Sequence, residues 1–360
     1  MFYAVGVLLP DGFLTYLETI IVAMFKIALA DSQERFACAA DDTIMRAALR
    51  AGIGMPYECN VGSCGTCKVE LVSGEVESNW PEAPALTERD RGRRRVLGCQ
   101  SRPASDCTVK ARLADQYQTG YRPQRFEATV TACRDLTHDI REFRFQLATP
   151  VHFLPGQYAL LYFPGVNGPR AYSMSNIAQG DGSWHFMIKR VPGGAGSSAL
   201  FDRVRVGDRL RLDGPYGLAY LRPDSPRDIV CIAGGSGLAP VISIARGVAA
   251  NPAMAARKVH LFYGCRAPRD ICGEDLIREL PGFGERFFYH PIISLPESDG
   301  AQQWTGRVGF VHEMALHVLG NKLPEHEIYF AGPPVMAQVV QRMLVAEKVP
   351  GAQVHYDAFY

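Results

Sequence analysis

The sequence predicts a multidomain chain of α+β and α/β construction: a small α+β unit, an antiparallel β-barrel and a parallel sheet flanked by helices. Three observations predict it. The 360 residues exceed one ordinary domain and suit two or three modest ones. Between Phe126 and about Arg222, short alternating runs (FEATVTA, EFRFQL, QYALLYF, WHFMIKR, DRLRLDG) are separated by turns, the pattern of an antiparallel barrel. From Arg227 onward the strands DIVCIAGG, KVHLFYG, RFFYHPII and EIYFAG are apolar throughout and alternate with helical segments, as in a parallel sheet covered on both faces.

Composition narrows the function. Hydrophobic residues make up 47% and charged residues 21%, the proportions of a folded globular chain. A formal net charge of +1 provides no global field for nucleic acid or anionic lipid, so neither is expected as a partner. Four of the ten cysteines crowd into one loop-like region, which suggests a metal site in a reducing, cytoplasmic setting rather than a disulfide framework. Cys38, Cys107, Cys133, Cys231, Cys265 and Cys272 are read as small buried hydrophobes or incidental thiols.

Residues 1–23 are apolar in part, but Pro10-Asp11-Gly12 and Glu18 interrupt them. They are too broken for a membrane span of about 20 residues and lack the basic start of a signal peptide. A second Met-Phe at Met24-Phe25 opens the first clear strand pattern. Met24 is therefore expected to be the natural start, with 1–23 an upstream extension; an intact native mass that includes Met1 would refute this.

The α+β unit covers 24–115. FKIALA and RFACAA read as strands about a turn at Asp31-Ser32-Gln33. Asp41 or Asp42 can then cap a helix with Ile44, Ala47 and Ala48 on its apolar face and Gly52 at its end. A Gly- and Cys-rich loop over 57–67 follows, then strands at KVELV and CTVKARL. The polar stretch 116–124 reads as a linker, 125–223 as the barrel and 224–360 as the parallel-sheet domain.

Cys59, Cys64 and Cys67 are spaced C-x4-C-x2-C, and Cys99 follows after 31 intervening residues. This is the spacing of a plant-type [2Fe–2S] cluster. Three thiolates from one loop must wrap tightly, which Gly62 and Gly65 permit. Zinc sites usually pair two C-x2-C units and fit less well.

In the barrel, Arg170-Ala171-Tyr172-Ser173 is followed by Asn176. The arginine fork suits a phosphate, the tyrosine ring an isoalloxazine face and the serine hydroxyl a ring nitrogen; an ordinary barrel strand with a surface arginine fits equally. The Gly-rich run through Gly193, Gly194 and Ser197 opens into a helix, where backbone amides suit a pyrophosphate. In the last domain, Gly234, Gly235 and Gly237 follow a buried strand, and Gly332-Pro333 follows another. Both turns lie at the carboxyl ends of strands, where parallel sheets bind dinucleotides, although Pro240 stands where the fingerprint would place a third glycine.

With these regions in this order, residues 24–360 resemble the ferredoxin–NAD(P)H reductase family, and within it the reductase components of bacterial multicomponent monooxygenases and related aromatic oxygenases, especially the toluene type. The matching strings are PYECNVGSCGTCKVEL, RAYS, DGPYGL, IAGGSGLAP, FYG and GPPVM. The resemblance implies a β-grasp ferredoxin domain, an FAD-binding barrel and an NAD-binding domain. It implies that Arg170, Tyr172 and Ser173 hold FAD, that Gly193, Gly194 and Ser197 meet its pyrophosphate, and that Gly235 and Gly237 meet NADH. It also implies that Tyr360 covers the flavin and that Ser173 tunes hydride transfer. Ala331 departs from the cysteine that the family often carries there. Electrons are then expected to run from NADH through FAD and the cluster to an oxygenase component or its small ferredoxin. A Rieske dioxygenase as the acceptor, or a non-turnover redox sensor, are the alternatives. Arg266 and Arg269 beside Asp270, Glu274 and Asp275 leave NADH against NADPH open from residues alone.

Overall fold

The computed structural model describes the backbone of residues 3–8 and 14–19 and the whole of residues 22–296 and 304–359. Tyr360 lies outside the described residues. The chain divides into two compact units, Met1–Gln118 and Thr119–Tyr360.

In the first unit, β1 (Tyr3–Leu8) and β2 (Leu14–Thr19) form an antiparallel ribbon. Next come β3 (Met24–Leu29), β4 (Arg35–Ala39), α1 (Ile44–Ala51), β5 (Lys68–Ser73), β6 (Val76–Ser78), α2 (Glu88–Gly92), β7 (Arg95–Leu97), β8 (Ser101–Pro103) and β9 (Cys107–Lys110). Five of these strands make a mixed sheet in the order β4-β3-β9-β5-β7, and β6 pairs separately with β8. The first and last strands, β3 and β9, are parallel and adjacent, which gives the β-grasp arrangement.

Helix α1 ends as expected, on Gly52 at φ +83, whose N–H reaches the carbonyls of Ala48 and Leu49. Its start differs from expectation. The N-cap is Thr43; Asp42 instead accepts from the Thr43 N–H at 2.8 Å and from Arg50 Nε at 3.0 Å. A carboxylate with a cation one helix length away is held by that cation and is not free to cap. The helix is also buried beyond its apolar stripe, through Met45 and Arg46, because the cysteine loop covers its other side.

The barrel holds β10 (Gln124–Asp135), β11 (Ile140–Leu147), β12 (Tyr158–Tyr162), β13 (Arg170–Ser173), β14 (Ser183–Lys189), α3 (Ala195–Asp202) and β15 (Arg209–Tyr216). The order is β13-β12-β15-β10-β11-β14, and a bridge from Met174 to Phe186 brings the two edges together. Trp184 fills the interior, edge-on to Phe126 and Phe153, and its Nε1 donates to the Val151 carbonyl at 3.2 Å. Cys133 is exposed near the end of β10, an incidental thiol rather than a buried hydrophobe.

The remainder comprises β16 (Asp228–Gly234), α4 (Leu238–Ala250), β17 (Val259–Cys265), α5 (Glu274–Arg278), β18 (Phe287–Ile293), β19 (Arg307–Val308), α6 (Val311–Leu319), β20 (His326–Gly332), α7 (Pro334–Ala346) and β21 (Val354–Ala358). Every pairing is parallel, in the order β19-β18-β17-β16-β20-β21. The strand order reverses between β16 and β20, the switch point where such sheets bind ligands. No helix among the described residues is long and apolar enough to cross a membrane.

One face of this sheet carries a checkerboard of rings. His260 stacks on Phe288, Phe262 stacks on His290, and His260 Nδ1 lies 3.1 Å from His290 Nε2. Burial pushes both histidines down to about 4, reinforced at His260 by His290 and His326 and at His290 by Arg307. Lys258 and Asp228 also face His260. The sign follows: the unfolded chain takes up protons near pH 6.5 and the folded chain only near 4, so stability is full above about pH 6.5 and falls as pH drops toward 4. The melting temperature is expected to decline across that window, with a shallower decline in His260→Asn/His290→Asn. A slope unchanged by the double substitution would refute the assignment.

Candidate functional site

The cysteine loop brings the four predicted ligands together. The Cys64 N–H points to Cys59 Sγ at 3.4 Å, and Cys67 Sγ lies 3.3 Å from Cys99 Sγ. Cys67 and Cys99 are buried, Cys59 and Cys64 half-buried, and all four are free thiols. Gly62 at φ +92 makes the turn between the first two ligands, a backbone region that side-chain-bearing residues disfavour. The hydrogen bond from Cys64 draws the Cys59 thiol down to about 6. That from Cys67, with the charge of Arg46 and Gln100 Nε2 at 3.6 Å, holds Cys99 below the ordinary thiol value. Cys64 and Cys67 are pushed the other way, by the same hydrogen bonds and by burial, so Cys59 and Cys99 are the two thiols held closest to the thiolate, the form that binds iron.

Sequence reading passed over two residues here. Arg46 is buried under the loop; its Nε donates to Asn60 Oδ1 at 2.9 Å and its Nη2 to the Asn60 carbonyl at 3.0 Å. Asn60 is itself buried at φ +57, and its Nδ2 has no partner among the described residues. An orphaned amide donor within the cysteine loop, next in chain to Cys59, fits an acceptor made of thiolates and sulfides, so these residues suit an iron–sulfur cluster. No local pattern marks Arg46, because its partner is 14 residues away. Arg46→Met should lower unfolding stability by about 3 kcal/mol, the value of charged hydrogen bonds lost at a buried site. Urea denaturation followed by cluster absorbance would show it; an unchanged midpoint would refute it.

On the barrel, Arg170 Nη1 donates to the carbonyls of Asn167 at 3.0 Å and Pro169 at 3.1 Å, so backbone oxygens hold the guanidinium in place. Gly196, near the start of α3, meets this strand. A Cβ there would lie 2.7 Å from Arg170 Cγ and 3.5 Å from the Tyr172 hydroxyl. The missing side chain thus brings a helix amino terminus beside an arginine, a cradle suited to a phosphate. Gly196 was not singled out from sequence, although it sits in the Gly-rich run. Burial pushes the Tyr172 phenol up to about 12, so it stays neutral. Ser173 is buried.

Three of the predicted flavin residues have other visible tasks. Ser197 Oγ accepts from the Val191 N–H at 3.0 Å and so closes its own loop. Gly193, at φ +71, makes that loop's turn with open space about it. Gly194 is the N-cap of α3. Asn176 stands apart from the cradle: its amide donates to the Ser183 carbonyl at 2.8 Å and accepts from the His185 N–H at 3.0 Å.

At the switch point the two Gly turns interlock. A Cβ on Gly237 would sit 2.0 Å from the Ala331 carbonyl oxygen, and one on Gly234 would sit 2.7 Å from Met336 Sδ and 3.3 Å from Pro333. Gly332, at φ +155, is equally close to Met336. Gly234, Gly237, Gly332 and Pro333 thus form one crevice lined by backbone, which suits a dinucleotide. Gly235 lies beside it, its carbonyl accepting from the Tyr263 hydroxyl at 3.2 Å. Tyr263 and Gly235 are 28 residues apart, which hid the contact from local reading.

A four-cysteine site for a one-electron centre, a phosphate cradle on a barrel and a dinucleotide crevice in one chain define a cofactor-linked electron-transfer reductase. Comparison with known proteins finds three family matches along the chain. Residues 27–104 match a 2Fe-2S iron-sulfur cluster binding domain, 127–220 an oxidoreductase FAD-binding domain and 231–342 an oxidoreductase NAD-binding domain. A ferredoxin–NAD(P)(+) reductase of Metapseudomonas resinovorans is 40% identical over 94% of this chain and 100% of its own length. The ferredoxin–NAD(+) reductase component of an alkene monooxygenase system from Xanthobacter autotrophicus is 39% identical over 90% of this chain and 97% of its own. Among solved structures, the ferredoxin reductase in carbazole 1,9a-dioxygenase superposes with a TM-score of 0.86 at 38% identity, covering 94% of this chain and 99% of that one. The chain belongs to the ferredoxin–NAD(P)+ reductases that serve multicomponent oxygenases. Its cofactors are a [2Fe–2S] cluster, FAD and NADH.

Proposed function

We propose that this chain is the NADH-dependent reductase of an aromatic, toluene-type monooxygenase and delivers single electrons to the oxygenase component or its small ferredoxin. The observation that carries the reading is the presence in one chain of the four-cysteine site, the Arg170–Gly196 cradle and the Gly237 crevice. When bound, the three cofactors supply the conversion of a two-electron hydride donor into one-electron delivery. The chain's own residues bind and orient. Arg170 neutralises phosphate charge, Tyr172 offers a neutral ring, and the crevice at Gly234–Gly237 admits a backbone-bound pyrophosphate. Ser173 is placed on the flavin ring by resemblance, and Tyr360 over it. The carboxylates after β17 are engaged elsewhere: Asp270 closes its own turn on the Ala267 N–H at 3.0 Å, and Asp275 pairs with Arg134 at 2.9 Å. The preference for NADH therefore rests on the resemblance.

An anaerobic NADH titration followed by visible and EPR spectroscopy tests the reading. Flavin bleaching followed by a one-electron cluster signal is expected, with NADPH at least tenfold less effective. Absence of the cluster signal in fully loaded protein would overturn it. A second reading, a Rieske-type dioxygenase as acceptor, is favoured by the likeness to the carbazole 1,9a-dioxygenase reductase. Reconstitution with a diiron hydroxylase and with a Rieske hydroxylase, compared by product formation per NADH, separates the two.

A further inference from the structure

The cluster loop has a collar, and the collar is basic. Asn79 donates to the Gln100 carbonyl at 2.7 Å, next to the ligand Cys99. Trp80 then lies against the loop, its ring 3.1 Å from where a Gly62 Cβ would stand. Despite its size it remains 40% exposed. Ala85 approaches Gly65 at 3.5 Å by the same measure, and α2 follows at once. The next residues read Arg89-Asp90-Arg91-Gly92-Arg93-Arg94-Arg95.

This run is neutralised from within only at Arg95. Asp90 is buried and taken up by Lys68 at 2.8 Å and Arg95 at 3.3 Å; Lys68 and then Thr87 hold its carboxyl well below the usual range. Arg91 Nη2 donates to the Pro81 carbonyl at 2.6 Å, which ties the run to Trp80, while its Nε meets the exposed Glu88 only at 3.5 Å. The side chains of Arg89 and Arg93 are exposed and make no hydrogen bond or ion pair among the described residues. Glu82 is the other exposed acid of the collar. In a chain of net charge +1, five arginines within seven residues, tied by Arg91 to the residue after Trp80, form a concentrated field.

We propose that Trp80, Arg89, Arg91 and Arg93 form the docking surface for a separate electron-accepting protein whose contact face is acidic. An exposed tryptophan with an arginine-rich run tied beside it through Arg91 and Pro81 has the composition of an interface anchor, and its place against the cluster loop keeps the electron's path short. Single-sign charge around it steers an acidic partner and repels a basic one. The proposal rests on the reading that the cluster is the exit for electrons.

The test uses the full-length holoprotein, reduced with dithionite, freed of excess reductant and mixed in stopped flow with two haem probes. Cytochrome b5 presents carboxylates around its haem and cytochrome c presents lysines. Arg89→Glu/Arg93→Glu should slow cytochrome b5 reduction about tenfold at low ionic strength, a difference that fades at high salt, and should not slow cytochrome c. Trp80→Ala should slow cytochrome b5 reduction with cluster absorbance intact. Equal rates for wild type and the charge-reversed variant would overturn the proposal. So would slower reduction of the variant's cluster by NADH, because the surface would then serve the chain's own flavin. Dithionite reduces the cluster without nicotinamide, so failure of NADH to reduce the wild-type cluster would count against the reductase reading alone.

Discussion

Cys64→Ser is expected to erase the visible and EPR signature of the cluster and to cut reduction of one-electron protein acceptors by about 100-fold or more, while NADH–ferricyanide activity at the flavin stays within about twofold. Cys64 supplies a thiolate, and its backbone N–H also points at Cys59 Sγ at 3.4 Å. Serine can keep the second contact but not the first, because a hydroxyl does not ionise near neutral pH and iron–sulfur centres are held by thiolates. The cysteine loop and the Gly237 crevice belong to different compact units, so flavin-level turnover survives. Retention of the EPR signal, or loss of ferricyanide activity along with it, would refute the expectation.

Gly237→Ala is expected to have the opposite profile. Its added methyl would meet the Ala331 carbonyl oxygen at 2.0 Å and carbon at 2.5 Å. These are backbone atoms of β20, so no rotamer change can relieve the clash, and the two turns of the crevice must part. NADH-dependent flavin reduction should fall about 100-fold, by overpacking that costs a few kcal/mol. Bound FAD, measured by absorbance, and dithionite reduction of the cluster should be unchanged. A normal NADH rate would remove Gly237 from the nucleotide site.

The fold was legible where chemistry is local. Alternating runs mark the barrel strands because one face of each is buried, and apolar strands mark the parallel sheet because both faces are. The short strands β6, β7 and β8 and helix α2 left no pattern, since three to five residues carry too few periods to read. The start of α1 was misplaced because a caplike aspartate, Asp42, is bound by Arg50, a partner that lies eight residues on.

The candidate site divides in the same way. Cys59, Cys64, Cys67 and Cys99 are readable as ligands because spacing along one loop dictates which thiols can converge. The order of modules is equally a property of the chain. What the tertiary structure decided is how each site is supported: Arg46 on Asn60 beneath the cluster loop, Gly196 against Arg170 in the phosphate cradle, and Gly237 against Ala331 in the crevice. The last contact joins residues 94 positions apart, whose meeting depends on β16 and β20 lying side by side in register. Residue type and spacing specify which donor atoms exist. Only folding brings distant backbone to within van der Waals reach of them, because that proximity depends on strand order and packing rather than on chain neighbours.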